Sequence, residues 1–279
     1  MTIAQALRDA AQRLSETSDT ARLDAELLMA HALDVSRSDM LLRHMDDEEP
    51  ADFQNLVSRR TAREPVAYIM GYTEFYGRRF DVEPGVLIPR DDSAILIDVA
   101  LEIAPEDARV LDMGTGSGAL ILTFLAECEN ALGIALDVSA NAVKIAQSNA
   151  QKLGLSDRLG LLQRDWGRPG WNYNLPLFDL ILCNPPYVED DAELEPDVRQ
   201  FEPSEALFAG PEGLDDYRII IPQLGNILKA DGKAILEIGH RQAEMAAEIA
   251  AKEGFSAELK HDLGGRPRCL ILSRAHVEQ

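Results

Sequence analysis

The chain is poor in positive charge. Its 27 Lys and Arg stand against 48 Asp and Glu, a formal net charge of −21 at pH 7, and so acidic a surface repels a phosphate backbone at long range. A direct nucleic-acid partner is disfavoured unless basic residues cluster locally, whereas protein and small-molecule substrates are not. Cysteine is scarce too. Cys128, Cys183 and Cys269 are odd in number and far apart, without metal-type spacing, and two of them lie in apolar runs, so they read as reduced core residues. The five histidines, His31, His44, His240, His261 and His276, are as scattered, and no metal is expected. No apolar run approaches the ~20 residues of a membrane-spanning helix. Asp9 and Glu16 within an amphipathic N-terminus do not resemble a secretory signal. The expected protein is cytoplasmic, monomeric and without a membrane partner.

What is present is ordinary for a globular protein: 46% hydrophobic and 27% charged residues over 279 positions, enough for one large domain with a smaller companion. Residues 1–65 are helical in period. Ile3, Leu7, Ala10, Ala11 and Leu14 share one face, Leu23, Leu27, Leu28, His31 and Ala32 a second. Ser36 can cap a third helix, and after the acidic break Asp46–Pro50, residues Phe53, Leu56, Val57 and Arg60 suggest a fourth. Residues 66–92 change to aromatic and β-branched character, with Tyr68-Ile69-Met70-Gly71-Tyr72 before Phe75-Tyr76-Gly77-Arg78-Arg79-Phe80, which predicts a β-hairpin linker about Gly77. Arg90 and Asp91 fall at the start of a helix expected over Ser93–Ile103, where they border a pocket.

Residues 93–279 alternate strand and helix. Strands are predicted at Arg109–Met113, Leu132–Leu136, Leu159–Gln163, Phe178–Cys183, Ala234–Ile238, Ala257–His261 and Cys269–Ser273, the last two antiparallel, with helices after the first and second, a long loop after Tyr187 leading to a helix near Tyr217–Leu228, and a helix over Gln242–Lys252. The pattern predicts an α/β, Rossmann-like fold with a mostly parallel seven-stranded sheet.

Ligands of such sheets bind beyond the carboxyl ends of the strands, and four successive ends carry polar exceptions. Gly114-Thr115-Gly116-Ser117-Gly118 is a tight turn that lets backbone approach a ligand; Asp137, 19 residues after Gly118, is placed to bind a ribose diol; Asp165 and Trp166 can flank an adenine; Asn184 ends the fourth. The glycine turn also fits the loose dinucleotide fingerprint, so an NAD(P)-dependent dehydrogenase is one alternative. The fourth end is the more informative. In Asn184-Pro185-Pro186-Tyr187 the prolines have no N–H and fix the direction of nearby carbonyls. An incoming planar NH2 group can give one hydrogen to the Asn184 amide oxygen and the other to the Pro185 carbonyl, while Tyr187 offers a flat face. Carboxamides and exocyclic base amines both fit, which keeps N6-adenine methylation open; hydride chemistry does not use such a corner.

These residues resemble the protein-(glutamine-N5) methyltransferases that act on peptide-chain release factors, within the class I S-adenosylmethionine-dependent methyltransferases. The resemblance runs through Arg63–Gly71, Glu74–Gly77, Leu87–Arg90, Leu111–Gly118, Asn184–Tyr187, Phe201–Pro203 and Gly213–Arg218. It implies a helical domain over 1–65 that helps recognise the release factor, the linker over 66–92, and a methyltransferase domain over 93–279 that methylates the glutamine of a Gly-Gly-Gln motif with S-adenosylmethionine. The residues matching the cofactor site are Gly114 to Gly118, Asp137, Trp166 and Asn184, beside which Asp165 is counted; those matching the glutamine site are Asn184, Pro185, Pro186 and Tyr187, with Arg90 at the rim. The family usually continues Leu-Ile-Pro-Arg with Pro-Asp-Thr-Glu, whereas this chain has Asp91-Asp92-Ser93-Ala94. Related enzymes methylate a glutamine of a ribosomal protein, a further alternative, although Glu237-Ile238-Gly239 with Gln242 looks more like the release-factor branch.

Overall fold

The computed structural model describes residues 1–262 and 264–275. They fall into two compact units. The first comprises Met1–Thr73, Val82–Pro84 and Leu194–Glu202; the second comprises Glu74–Asp81, Gly85–Glu193 and the residues from Pro203 on.

In the first unit, α1 (Ile3–Leu14) opens on a reciprocal cap in which Thr2 Oγ1 accepts from the Gln5 N–H and the Thr2 N–H donates to Gln5 Oε1. It buries Ile3, Leu7, Ala10 and Leu14, four of the five residues its spacing nominated. The helices α2 (Ala21–Leu33), α3 (Arg37–Arg43, capped by Ser36 as expected) and α4 (Phe53–Thr61) close around Leu28, Met29, Met40 and Phe53, each large side chain contributing about 2 kcal/mol by leaving water. Arg60 shares the apolar face of α4 because its charge is matched: its Nε donates to Asp24 at 2.7 Å and its Nη1 to Asp197 at 2.6 Å. Two expectations are corrected here. Tyr68–Met70 belongs to a short helix, α5 (Val66–Met70), because Pro65 sets its first turn and Gly71, at φ 79°, ends it. The loop after Tyr187 contains a helix, labelled α9 below, which joins this unit through Asp197.

The hairpin expected about Gly77 is present: β1 (Tyr72–Phe75) pairs with β2 (Arg78–Asp81). In the second unit a single 3₁₀ turn, Asp91–Ser93, precedes α6 (Ala94–Ile103). There follow β3 (Arg109–Met113), α7 (Ala119–Glu127), β4 (Leu132–Asp137), α8 (Ala140–Lys152), β5 (Leu159–Gln163), β6 (Phe178–Cys183), α9 (Pro196–Phe201, in the first unit), α10 (Asp215–Leu224), β7 (Leu228–Glu237), α11 (Ala243–Lys252), β8 (Phe255–His261) and β9 (Pro267–Arg274). α10 stops earlier than predicted, and β7 reaches back to Leu228, because Pro222 and Gly225 limit the helix.

The seven-stranded sheet runs β5-β4-β3-β6-β7-β9-β8, parallel except for β9, which is antiparallel to β7 and β8. One face packs against Phe124, Leu120 and Leu96, the other against Tyr217, Ile220 and Ala246, so the central strands are apolar on both sides. Chain order reverses between β3 and β6: the chain winds one way through β4 and β5 and the other through β7. That switch opens a crevice at the carboxyl ends of β3 and β6.

Candidate active site

The end of β3 is shaped by main chain. Gly114 has φ 76°, and a Cβ there would come within 3.1 and 3.3 Å of the Trp166 ring, so this position requires both a left-handed conformation and the missing side chain. The Gly114 and Thr115 N–H groups donate to Leu136 O at 2.9 and 3.0 Å. Thr115 Oγ1 donates to Asp112 Oδ2 at 2.6 Å, and burial pushes the fully enclosed Asp112 carboxyl up to about 7.

The next strand end is tied to this turn. Asp137 Oδ2 accepts from the Gly116 N–H and Oδ1 from the Ser139 N–H, each at 2.9 Å. Burial raises its carboxyl, and those N–H groups oppose the rise. Each oxygen keeps a lone pair for a further donor. Trp166 is fixed by its Nε1, which donates to Asp216 Oδ1 at 2.9 Å, and by its carbonyl, which accepts from Gln223 Nε2 at 3.1 Å.

The end of β6 is held by side chains from distant segments. Asn184 Nδ2 donates to Ser93 Oγ at 3.3 Å, Ser93 Oγ donates to Glu237 Oε2 at 2.5 Å, and the Tyr187 hydroxyl donates to Glu237 Oε1 at 3.1 Å. Glu237 ends β7 beside β6, and its own carbonyl accepts from the Tyr217 hydroxyl at 2.7 Å. Burial raises its carboxyl, against the two hydroxyls and Arg268, which lower it. Gln242 Nε2 donates to Tyr187 O at 2.8 Å and to Gly213 O at 3.1 Å. A Cβ on Gly213 would overlap both Tyr187 O and the Gln242 amide, a reason for the Gly213-Leu214 motif.

These ends open onto one cavity of about 250 Å³, all of whose lining belongs to the second unit. That is room for a nucleoside-sized ligand rather than a few waters. The cavity brings together Gly114, Thr115, Gly116, Ser117, Asp137, Asp165, Trp166, Asn184, Pro186 and Arg90. Three other nominated residues lie outside that lining: Gly118 opens α7 beneath Leu122, Pro185 is buried, and the Tyr187 hydroxyl turns to Glu237. Ser93 and Glu237 entered the sequence reading only as points of comparison with the family, and neither was nominated for the site. A hydroxyl at the helix start after Arg90, and an acid ending an otherwise apolar strand, were the signals available.

Residues 5–71 match the model of the PrmC N-terminal domain, and residues 91–201 that of the methyltransferase small domain. The chain is 38% identical over 262 residues to a release factor glutamine methyltransferase of Rhodospirillum rubrum, covering 91% of this chain and 79% of that protein. It is 37% identical over 284 residues to one from Moorella thermoacetica, covering 98% and 99%. A methyltransferase structure from Pyrococcus furiosus superposes with a TM-score of 0.55 at 17% identity, covering 72% of this chain and 91% of that one, a likeness of fold alone.

Proposed function

The chain belongs to the release factor glutamine methyltransferase family, and from that premise we propose that it methylates a release-factor glutamine, the glutamine of the Gly-Gly-Gln motif, at its side-chain nitrogen N5. The observation that carries this reading is that the glycine turn after β3 and the Asn184 corner after β6 end neighbouring strands and line the same cavity. A cofactor cradle and an amide-binding corner are thereby within one ligand's reach.

The residues fit S-adenosylmethionine. Gly114 leaves open the space in front of Trp166 that a Cβ would fill, Asp137 offers fixed acceptors for a ribose diol, and Trp166 with Asp165 flanks the adenine. When bound, S-adenosylmethionine supplies a methyl group on a positively charged sulfur, whose departure neutralises that charge. Asn184 Oδ1 and the Pro185 carbonyl would accept the two hydrogens of the glutamine NH2 and fix the direction in which its nitrogen points. Both acceptors would also face the positive charge that this nitrogen gains on taking up the methyl, so they would act more strongly in the transition state than before it. One amide proton leaves afterwards to water. Pro186 and Tyr187 wall the corner, Arg90 borders it, and the helical residues 1–65 take part in recognising the release factor.

The test is transfer of labelled methyl from S-adenosylmethionine to purified release factor, to the same factor lacking the Gly-Gly-Gln glutamine, to ribosomal protein and to nucleic acid. Label confined to the intact release factor is expected. Equal labelling of the glutamine-lacking factor, or label only in ribosomal protein or nucleic acid, contradicts the reading.

A further inference from the structure

Of the departing stretch Asp91-Asp92-Ser93-Ala94, Ser93 alone is buried. Ser93 is 4% exposed and Glu237 1%, and they lie 144 residues apart in the chain. We propose that Ser93 and Glu237 are positioning residues for methyl transfer, forming a relay that turns the Asn184 carboxamide so that its oxygen, and not its NH2, faces the glutamine.

The directions follow from counting protons. Two hydroxyls converge on the Glu237 side chain, Ser93 donating to Oε2 and Tyr187 to Oε1, so both of its oxygens act as acceptors. The single Ser93 hydroxyl proton is therefore committed to Glu237, and toward Asn184 the Ser93 oxygen can present only a lone pair. A carboxamide meets a lone pair with its NH2, as Asn184 Nδ2 does at 3.3 Å, which directs Oδ1 away from Ser93. An asparagine without such a partner has little to distinguish its two amide orientations, and the reversed one would set NH2 against NH2. The relay is anchored at its far end, since the Tyr217 hydroxyl holds the Glu237 carbonyl at 2.7 Å. Ser93 also explains how the chain dispenses with the family's usual threonine: the hydroxyl is kept and only a methyl is lost.

This inference rests on the reading above, in which Asn184 Oδ1 accepts from the target amide, and two independent readouts separate the two. In kinetics, Ser93→Ala should lower kcat about tenfold. Glu237→Gln, which offers one acceptor and one donor where two hydroxyl protons converge, should lower it at least as much. Ser93→Thr should recover most of the loss, and the double variant Ser93→Ala/Glu237→Gln should be no worse than Glu237→Gln alone, as expected of groups acting as a unit. S-adenosylhomocysteine affinity should stay within about threefold throughout. Full turnover in Ser93→Ala, an equal loss in Ser93→Thr, or a parallel loss of S-adenosylhomocysteine affinity overturns the relay. The second readout needs no substrate: the ¹⁵N side-chain amide signals of Asn184, identified by their absence in Asn184→Asp. They should show one distinct, exchange-protected proton in the wild type and in Ser93→Thr, and lose it in Ser93→Ala; unchanged signals in Ser93→Ala overturn the relay. If the wild type fails to label release factor, the functional reading falls while these signals still decide the relay.

Discussion

The turn after β3 and the corner after β6 end adjacent strands of one sheet, yet they are built in different ways. The first is built largely from main chain: glycines in left-handed conformations and N–H groups on Leu136 O and Asp137, with Asp112, two residues upstream of the turn, as a nearby side-chain anchor. The second depends on side chains from three remote places, Ser93 before α6, Glu237 at the end of β7 and Gln242 before α11. Damage to the turn should therefore show in cofactor binding and stability, and damage to the corner in turnover.

The sharpest way to break that contrast is Asn184→Ala. Turnover at saturating cofactor and release factor should fall about 100-fold, the scale for losing one preorganised transition-state contact, while S-adenosylhomocysteine affinity, measured by calorimetry, shifts far less. Equal losses would mean the corner is a second half of the cofactor site.

A smaller effect belongs to the turn. Asp112 is enclosed and its carboxyl pushed up to about 7 from an ordinary 3.8, with Thr115, the Ile121 N–H and the Asp137 charge acting on it. Between those pH values the folded protein holds a proton that the unfolded chain has released. Asp112 thus favours folding at low pH, and its contribution is lost as pH rises toward 7, by at most about 1.4 kcal/mol per pH unit. Urea unfolding across that range should show the decline, and Asp112→Asn should flatten it; an unaltered slope would mean Asp112 stays ionised in the fold.

Smaller again is Asp137→Asn. Asparagine keeps one acceptor oxygen where two N–H groups and a ligand diol converge, so S-adenosylmethionine affinity should drop about tenfold, with kcat at saturation little changed. A loss of kcat without a loss of affinity would erase the division between the two strand ends.

The same contrast explains what could be read in the chain beforehand. Gly114 to Gly118 and Asn184 to Tyr187 were legible because each stretch carries its constraint locally: φ values few residues adopt, prolines that cannot donate, an amide at the end of an apolar run. The strand positions and the antiparallel pairing of the last two strands followed from period and loop length. The local signs at Ser93 and Glu237, a hydroxyl at a helix start and an acid ending an apolar strand, were weaker, since what makes these residues matter is a contact across 144 residues. Arg60 and Asp197, 137 residues apart, hid in the same way, and with them the helix α9 in what read as loop. The helix α5 was misread because Tyr68 and Ile69, adjacent and both buried, look like strand residues until Pro65 and Gly71 are weighed.

The most direct test is a crystal structure with S-adenosylhomocysteine and a glutamine-containing release-factor peptide. The glutamine side-chain nitrogen should lie within hydrogen-bonding distance of both Asn184 Oδ1 and the Pro185 carbonyl, facing the sulfur. An Asn184 amide turned with its oxygen toward Ser93, or a glutamine bound elsewhere in the cavity, would contradict it.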